Sequence, residues 1–377
     1  MRLLTITVLL LIQLPVHADE EPVMRVTLVG QALIKQDLRV HAPVAFEQAK
    51  EYLSGSDVVF TNLEVAVAPI DAPVVKRNSS VTHVTPDILE NLREMGFNLL
   101  ALSNNHAWDL GETGLYTTIE ESRRAGFIVA GTGSNLDEAA APAYLDTANG
   151  RVALIGFASG ANQLQDPSTW ASPNRPGVNY LNLRADGTLD PEQKARILAS
   201  VREAAANADL VIAYHHQHFW GEDNGPDTPP GREARLDRFE TPAWQEDFVR
   251  ELIDQGAGLF VGHGNPALHG VEIYKGRPIL YGLGNYIFHS AQSVDRYGPT
   301  AHQTVVAQVE FREGRVTRMD FRPLVLSLLS TDQVMRGFPY LARSGEARAI
   351  LLYLQDQSAR YGTRMTIDGE RAFWSID

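Results

Sequence analysis

There is no cysteine among the 377 residues. That absence removes disulfides, thiolate metal sites and thiol nucleophiles together, so any metal must be held by nitrogen and oxygen. Positive charge is also scarce. Lys and Arg number 33 against 46 Asp and Glu, a net charge of -13, and without an electrostatic footprint for a phosphate backbone nucleic acid is not an expected partner. No apolar run reaches the ~20 residues that span a bilayer, and no internal repeat or low-complexity tract is visible. What is present is globular composition, 44% apolar and 21% charged, enough to bury a large core.

The opening stretch MRLLTITVLLLIQLPVHADEEP sets Arg2 ahead of an apolar core from Leu3 to Leu14, then Pro15 and the small-residue site Val16-His17-Ala18. This is the layout of a secretory signal, with cleavage expected after Ala18; an uncleaved anchor is the alternative. The expected location is across the inner membrane, periplasmic or at the cell surface. Residues 19–377 are expected to form one domain, with a loop insertion at 219–242 and a C-terminal helix plus strand at 345–377.

Apolar strands and amphipathic helices alternate along this region. Strand patterns occur at 23–31, 57–65, 98–106, 151–159, 209–218 and 258–264. Between them, 43–53, 85–97, 114–127, 191–208 and 243–257 have helical spacing. The second of these opens on Thr85-Pro86-Asp87 and ends at Gly96, a start and a stop signal. Residues 271–285 read as a hairpin turning at Lys275-Gly276, and 304–326 as an antiparallel pair with a Glu-Gly turn. The pattern implies mixed α/β sheets covered by helices. The segment 219–242, rich in Gly, Pro and charge, reads as a lid or binding loop. The segment 345–362 reads as a helix and 363–376 as a terminal strand.

Polar residues recur where the apolar runs end: Gly30-Gln31, Asn62-Leu63-Glu64, Asn104-Asn105-His106, His215 to His218, and Gly262-His263. Ligands of helix-covered sheets bind outside the carboxyl ends of the strands, so five such ends point to one shared site. His, Asn and Glu without Cys form a donor set suited to Mn, Zn or Fe, one or two ions that activate water and clamp a phosphoryl or acyl oxygen. Asn105 offers a neutral carbonyl ligand, and the adjacent His106 is placed to donate a proton to a leaving group. His218 shares a face with His216 if the strand stays extended, whereas His215 points the other way and reads as structural. Asp109 reads as a loop-capping carboxylate, and AGTGSN (130–135) as a connection.

The stretches NLE (62–64), LSNNHAWDLGETGL (102–115), AGFIVAGTGSNLDEAAAP (125–142), GHGNPALHGVEIYKGRPILYGLGNYIF (262–288) and QSARYGTRMTIDG (357–369) resemble the CapA family, in order and over most of the chain. The resemblance implies a calcineurin-like, metallophosphatase-type αββα sandwich with a metal centre at the strand ends. It further implies a part in making or exporting the capsular polymer poly-γ-glutamate, with an anionic polymer or peptide-like substrate and a membrane-bound polymer synthase as partners. By the same resemblance Glu64, Asn105, His216 and His263 correspond to metal ligands, and His106 to a ligand or the acid.

The chain also departs from the family. Gln31 stands where the family has an aspartate ligand, and Gly264-Asn265-Pro266 follows His263 where the family has His-Pro-His. His218 and His269 are the available substitutes. Trp220 and Glu222 echo a family His-Trp-Gly-x-Glu stretch in a shifted register that would make His218 the ligand in place of His216. Two function classes follow: a metal-dependent hydrolase, or a catalytically silent assembly component. A glycosidase would need a second carboxylate opposite Glu64, and none is evident.

Overall fold

The computed structural model describes residues 23–77, 84–160, 163–219, 238–289, 297–327 and 336–376. The expected signal at 1–18, Trp220, Glu222 and most of the 219–242 segment lie outside the described residues. Strands β1 (Met24–Leu28), β3 (Val58–Asn62), β4 (Leu99–Ala101) and β5 (Ile128–Ala130) run parallel in a first sheet. Beyond β1 this sheet turns antiparallel through β15 (Gln303–Arg312), β16 (Arg315–Leu326), β19 (Arg371–Ser375) and β18 (Thr366–Asp368), with β17 (Pro339–Leu341) also on β16.

The second sheet has the order β12 (Val271–Tyr274), β13 (Arg277–Leu280), β11 (Leu259–His263), β10 (Leu210–His218), β8 (Gly150–Gly160), β7 (Ala143–Thr147). Its middle four strands are parallel and its two edges antiparallel. Two small pairs complete the strands, β2 (Gln31–Leu33) with β14 (Asn285–Phe288), and β6 (Thr132–Gly133) with β9 (Gly177–Val178).

Alternation along each strand decides the layers. Met24, Val26 and Leu28 of β1 and Val58 and Phe60 of β3 meet Leu210, Ile212 and Tyr214 of β10 and Leu259 and Val261 of β11 in a core between the sheets. The alternate residues face outward. Val59 and Leu100 are covered by α1 (Pro43–Leu53), α2 (Ile88–Glu94) and α3 (Gly111–Arg124). Val211, Ala213 and Phe260 are covered by α4 (Pro191–Asn207) and α5 (Ala243–Asp254). This is the αββα sandwich that the resemblance implies, and it explains the near-continuous apolar strands: each is buried on both faces. Full burial of one such side chain stabilises by about 1.5–3 kcal/mol.

Local chemistry sets the boundaries. Helix α4 opens on Asp190, whose carboxylate accepts from Glu192 N–H and Gln193 N–H, with Pro191 in its first turn. Both expected hairpins turn on paired positive φ, Lys275 at 51° with Gly276 at 73°, and Glu313 at 48° with Gly314 at 67°. Three readings change. The terminal strand is a hairpin, β18 and β19, bent at Gly369 (φ 56°). The strand read at 98–106 ends at Ala101, so the SNNHAWD stretch is turns rather than strand. The strand read at 23–31 ends at Leu28, and Gln31 opens the separate short strand β2.

Candidate metal centre

The carboxyl ends of β3, β4, β10 and β11 bring residues from both sheets to one end of the sandwich. Glu64 follows β3, and its N–H is tied to the Ala32 carbonyl at 2.9 Å. His216 and His263 are paired neighbours on β10 and β11, so their rings share a face. Tyr214 lies two residues before His216 on that same face; its hydroxyl is 3.1 Å from His216 Nδ1 and its ring packs edge-on against His263 at 5.4 Å. Asn62 Nδ2 approaches the same Nδ1 at 3.4 Å. With Nδ1 engaged, Nε2 is the atom His216 presents to the site.

That atom lies 2.8 Å from Asn105 Oδ1 and 3.9 Å from Glu64 Oε1. His218 stacks on His216 with ring centres 5.0 Å apart. Glu64, His216 and His218 each place one ligand atom within 4.8 Å of the others. The structure therefore brings His216 and His218 to one group with Glu64. Glu64 Oε2 is buried with no hydrogen-bond partner, and neither ring nitrogen of buried His263 has one. Such orphaned atoms cost stability unless something else satisfies them. A borderline N and O donor set within 4.8 Å, with an unsatisfied carboxylate oxygen on Glu64, fits a divalent cation.

The electrostatics agree with that fit. Burial pushes the Glu64 carboxyl up to about 7, Asp109 adds to the rise, and His106 and Lys35 oppose it. Burial, reinforced by His218, His263 and His106, holds His216 far below the ordinary histidine value. Burial takes His263 down to about 3, opposed by the Val29 backbone, which lies outside hydrogen-bond geometry. Neutral imidazoles are the ligating form.

His106 has a different environment. Its ring Nδ1 is 2.5 Å from Asp109 Oδ2 and a quarter of its side chain is exposed, against 6% for Asp109. Burial disfavours its cation, yet the Asp109 bond and charge, with Glu64, outweigh that and raise its pKa. The turn is held by Asn104, whose Oδ1 accepts from His106 N–H at 2.9 Å while its Nδ2 donates to the Leu63 carbonyl at 2.8 Å and to Asn62 Oδ1 at 3.0 Å. Asp109 thus orients His106 instead of only capping a loop. The i, i+3 spacing within a turn was the available signal.

The remaining expected residues lie around this group. Gln31 donates through Nε2 to Asn285 Oδ1 at 2.9 Å and accepts through Oε1 from Gly264 N–H at 2.8 Å. Both its polar atoms are thereby used to clamp β2 to β14 and to the turn after β11. His269 is 3.0 Å from Thr241 Oγ1 through Nδ1, and 2.9 Å from the Arg238 carbonyl and 3.0 Å from Asn265 Nδ2 through Nε2. His215 faces the helix side, with Ser159 Oγ at 2.7 Å from Nε2 and Phe157 stacked at 4.6 Å. Tyr214 joins the site although it belongs to no polar strand end. Tyr214 was legible from its two-residue offset from His216, whereas nothing local marks Lys35.

The sequence profile of the family described as "Bacterial capsule synthesis protein PGA_cap" matches residues 23–290. An uncharacterized protein, y4sH, of Sinorhizobium fredii is 28% identical over 90% of both chains. The capsule biosynthesis protein CapA of Bacillus anthracis is 26% identical over 82% of this chain and 69% of its own. A "probable polyglutamine synthesis accessory protein" of Mycobacterium tuberculosis is 29% identical over 62% of this chain and 56% of its own. Among solved structures, a phosphatase from Mycoplasma pneumoniae is similar at 11% identity and a TM-score of 0.48 over 81% of this chain and 95% of its own. With the profile covering most of its length, this chain belongs to the bacterial capsule synthesis protein PGA_cap family.

Proposed function

We propose that the chain is an extracytoplasmic, metal-dependent hydrolase acting on an anionic capsular polymer such as poly-γ-glutamate, in its synthesis, release or export. The observation that carries this reading is the convergence of Glu64, His216 and His218 within 4.8 Å. Those three residues, with Asn105 and His263 adjacent, would hold a Mn, Zn or Fe ion. Such an ion supplies Lewis-acid polarisation of the scissile carbonyl or phosphoryl oxygen and a water made nucleophilic near neutral pH. A single ion is the better supported number, because Gln31, where the resemblance implies a further ligand, is bonded to protein groups, and Gly264 and Pro266 stand where it implies histidines.

The chain's own residues supply the rest. Asp109 occupies His106 Nδ1, which leaves Nε2 to face a substrate, and it favours the imidazolium. His106 is then a proton donor to the leaving amine or alcohol. Tyr214 and Asn62 keep the His216 ring turned so that Nε2 points at Glu64 and Asn105. The signal-like residues 1–18 support a location beyond the inner membrane, where a membrane-bound polymer synthase would be the partner.

The test combines elemental analysis of protein from metal-replete cells with size-exclusion chromatography of poly-γ-glutamate after incubation. Wild type should carry metal and shorten the polymer; His106→Ala should keep the metal and lose the cleavage. Protein without metal from such cells overturns the reading. The engaged amide of Gln31 favours a second reading, a polymer-binding assembly component, which predicts metal-independent capture without cleavage.

A further inference from the structure

Strand β16 carries Arg318, Asp320 and Arg322 at alternate positions, so the three share one face, while Met319 and Phe321 between them enter the core between the sheets. Where α1 ends, that outer face opens into a cleft of about 360 Å³, lined also by Arg25, Glu310 and Glu51. Cross-strand register sets Arg25 beside Glu310, and Glu310 beside Arg318. Arg371 of β19 comes in from the other side, its Nη1 3.6 Å from Asp320 Oδ2, and Arg318 Nη2 lies 3.8 Å from the same oxygen with its guanidinium 4.9 Å over the Phe373 ring. Both separations are too long for a hydrogen bond. Arg322 forms no ion pair among the described residues, and its Nε, like Asp320 Oδ1, is buried without a hydrogen-bond partner there. Arg25 Nε and Glu310 Oε1 satisfy each other at 3.2 Å. That leaves three guanidiniums against Asp320 and the exposed Glu51, a positive cleft in a chain of net charge -13. Arg25 lies at the amino end of β1, whereas the candidate metal residues follow the carboxyl ends of the strands, so the cleft belongs to the opposite end of the sandwich.

We propose that this cleft is a binding site for a phosphate group, carried by a soluble phosphate ester or by a lipid headgroup, and separate from the candidate metal centre. Guanidiniums approaching from two strands can each donate to a different oxygen of a tetrahedral anion, and charge-assisted bonds of that kind are the strong ones. A planar carboxylate has only two oxygens to offer. The carboxylate already present, Asp320, moderates the repulsion among the three arginines without using their donors, since none of them reaches it within hydrogen-bond distance. A buried donor and a buried acceptor left unmatched on one strand face are a cost that a bound ligand can offset. The inference is independent of the hydrolase reading.

The experiment pairs calorimetry, with glycerol phosphate and with a γ-linked glutamate tetramer, and flotation with phosphatidylglycerol vesicles. Wild type should bind the ester or the vesicles, and Arg322→Met and Arg371→Gln should each weaken that binding about 10- to 100-fold. Their Tm should stay at the wild-type value, because neither guanidinium holds a hydrogen bond among the described residues. Arg322→Lys should restore only part of the loss, a point charge standing in for a planar fork. Arg202→Met, on α4 at the surface, should change nothing. Arginine-dependent binding of the ester alone assigns the site to a soluble phosphate ester, and arginine-dependent flotation assigns it to a lipid headgroup. Binding of neither, binding that Arg322→Met and Arg371→Gln leave unchanged, equal weakening by Arg202→Met, or a tetramer held as tightly through Arg322 overturns the proposal.

Discussion

His106 Nδ1 meets the Asp109 carboxylate at 2.5 Å, three residues along one turn. Asp109→Asn keeps an acceptor for the ring but removes the charge that favours the imidazolium. The His106 pKa should fall, followed by the ring Cε1–H shift in an NMR titration, and polymer cleavage at pH 7 should drop roughly 10- to 100-fold. A raised folded pKa means the pair stabilises the fold below the ordinary histidine value, and that contribution fades as pH rises through the raised one.

Glu64 and His216 come from different sheets and lie 3.9 Å apart, so a cation held by both links the two halves of the sandwich. Mn²⁺ or Zn²⁺ at a hundred times its dissociation constant should stabilise wild type by about 2.7 kcal/mol, read as a rise in Tm. Glu64→Gln, nearly the same shape without the charge, should fold and show no rise.

Gly264 sits where the CapA resemblance implies a histidine, and placing one there should not rebuild a ligand. Its φ is +97°, and a Cβ there would stand 2.3 Å from the Gln217 carbonyl oxygen and 2.7 Å from the Gln217 nitrogen. Gly264→His should therefore lower Tm sharply, a loss of more than ~2 kcal/mol from left-handed strain and backbone overlap, without raising metal stoichiometry.

His289 is buried and neutral, pushed down to about 3 by its burial, with Lys35 and His41 adding to the effect. Because the unfolded chain binds this proton near pH 6.5 and the folded chain does not until about 3, stability is full above the unfolded value and is lost as pH falls through that window. His289→Asn keeps an acceptor near the Nδ1 position and cannot titrate. Denaturant midpoints measured between pH 6.5 and 4 should then decline less steeply, by about 1.4 kcal/mol per pH unit at most.

The range of each interaction decides which elements are legible along the chain. Helix α1 runs from Pro43 to Leu53 as its spacing predicts, and the turns at Lys275-Gly276 and Glu313-Gly314 stand where the residue pairs place them. These are local effects of propensity and φ. Strand β7 escaped notice because Ala143–Thr147 is an edge strand with half-exposed residues and no apolar run. The final hairpin was read as one strand because the chain around Gly369 alternates little.

The same division runs through the site. Polar residues after apolar runs disclosed which strand ends matter, and two-residue alternation separated His216 from His215, both consequences of strand geometry within a few residues. Proximity of Asn105 to His216, 111 positions apart, arises only when two sheets pack face to face, and that of Gln31 to Asn285, 254 apart, only when β2 pairs with β14. Those contacts are made by burial of side chains on opposing strands, a term that no neighbour along the chain contributes.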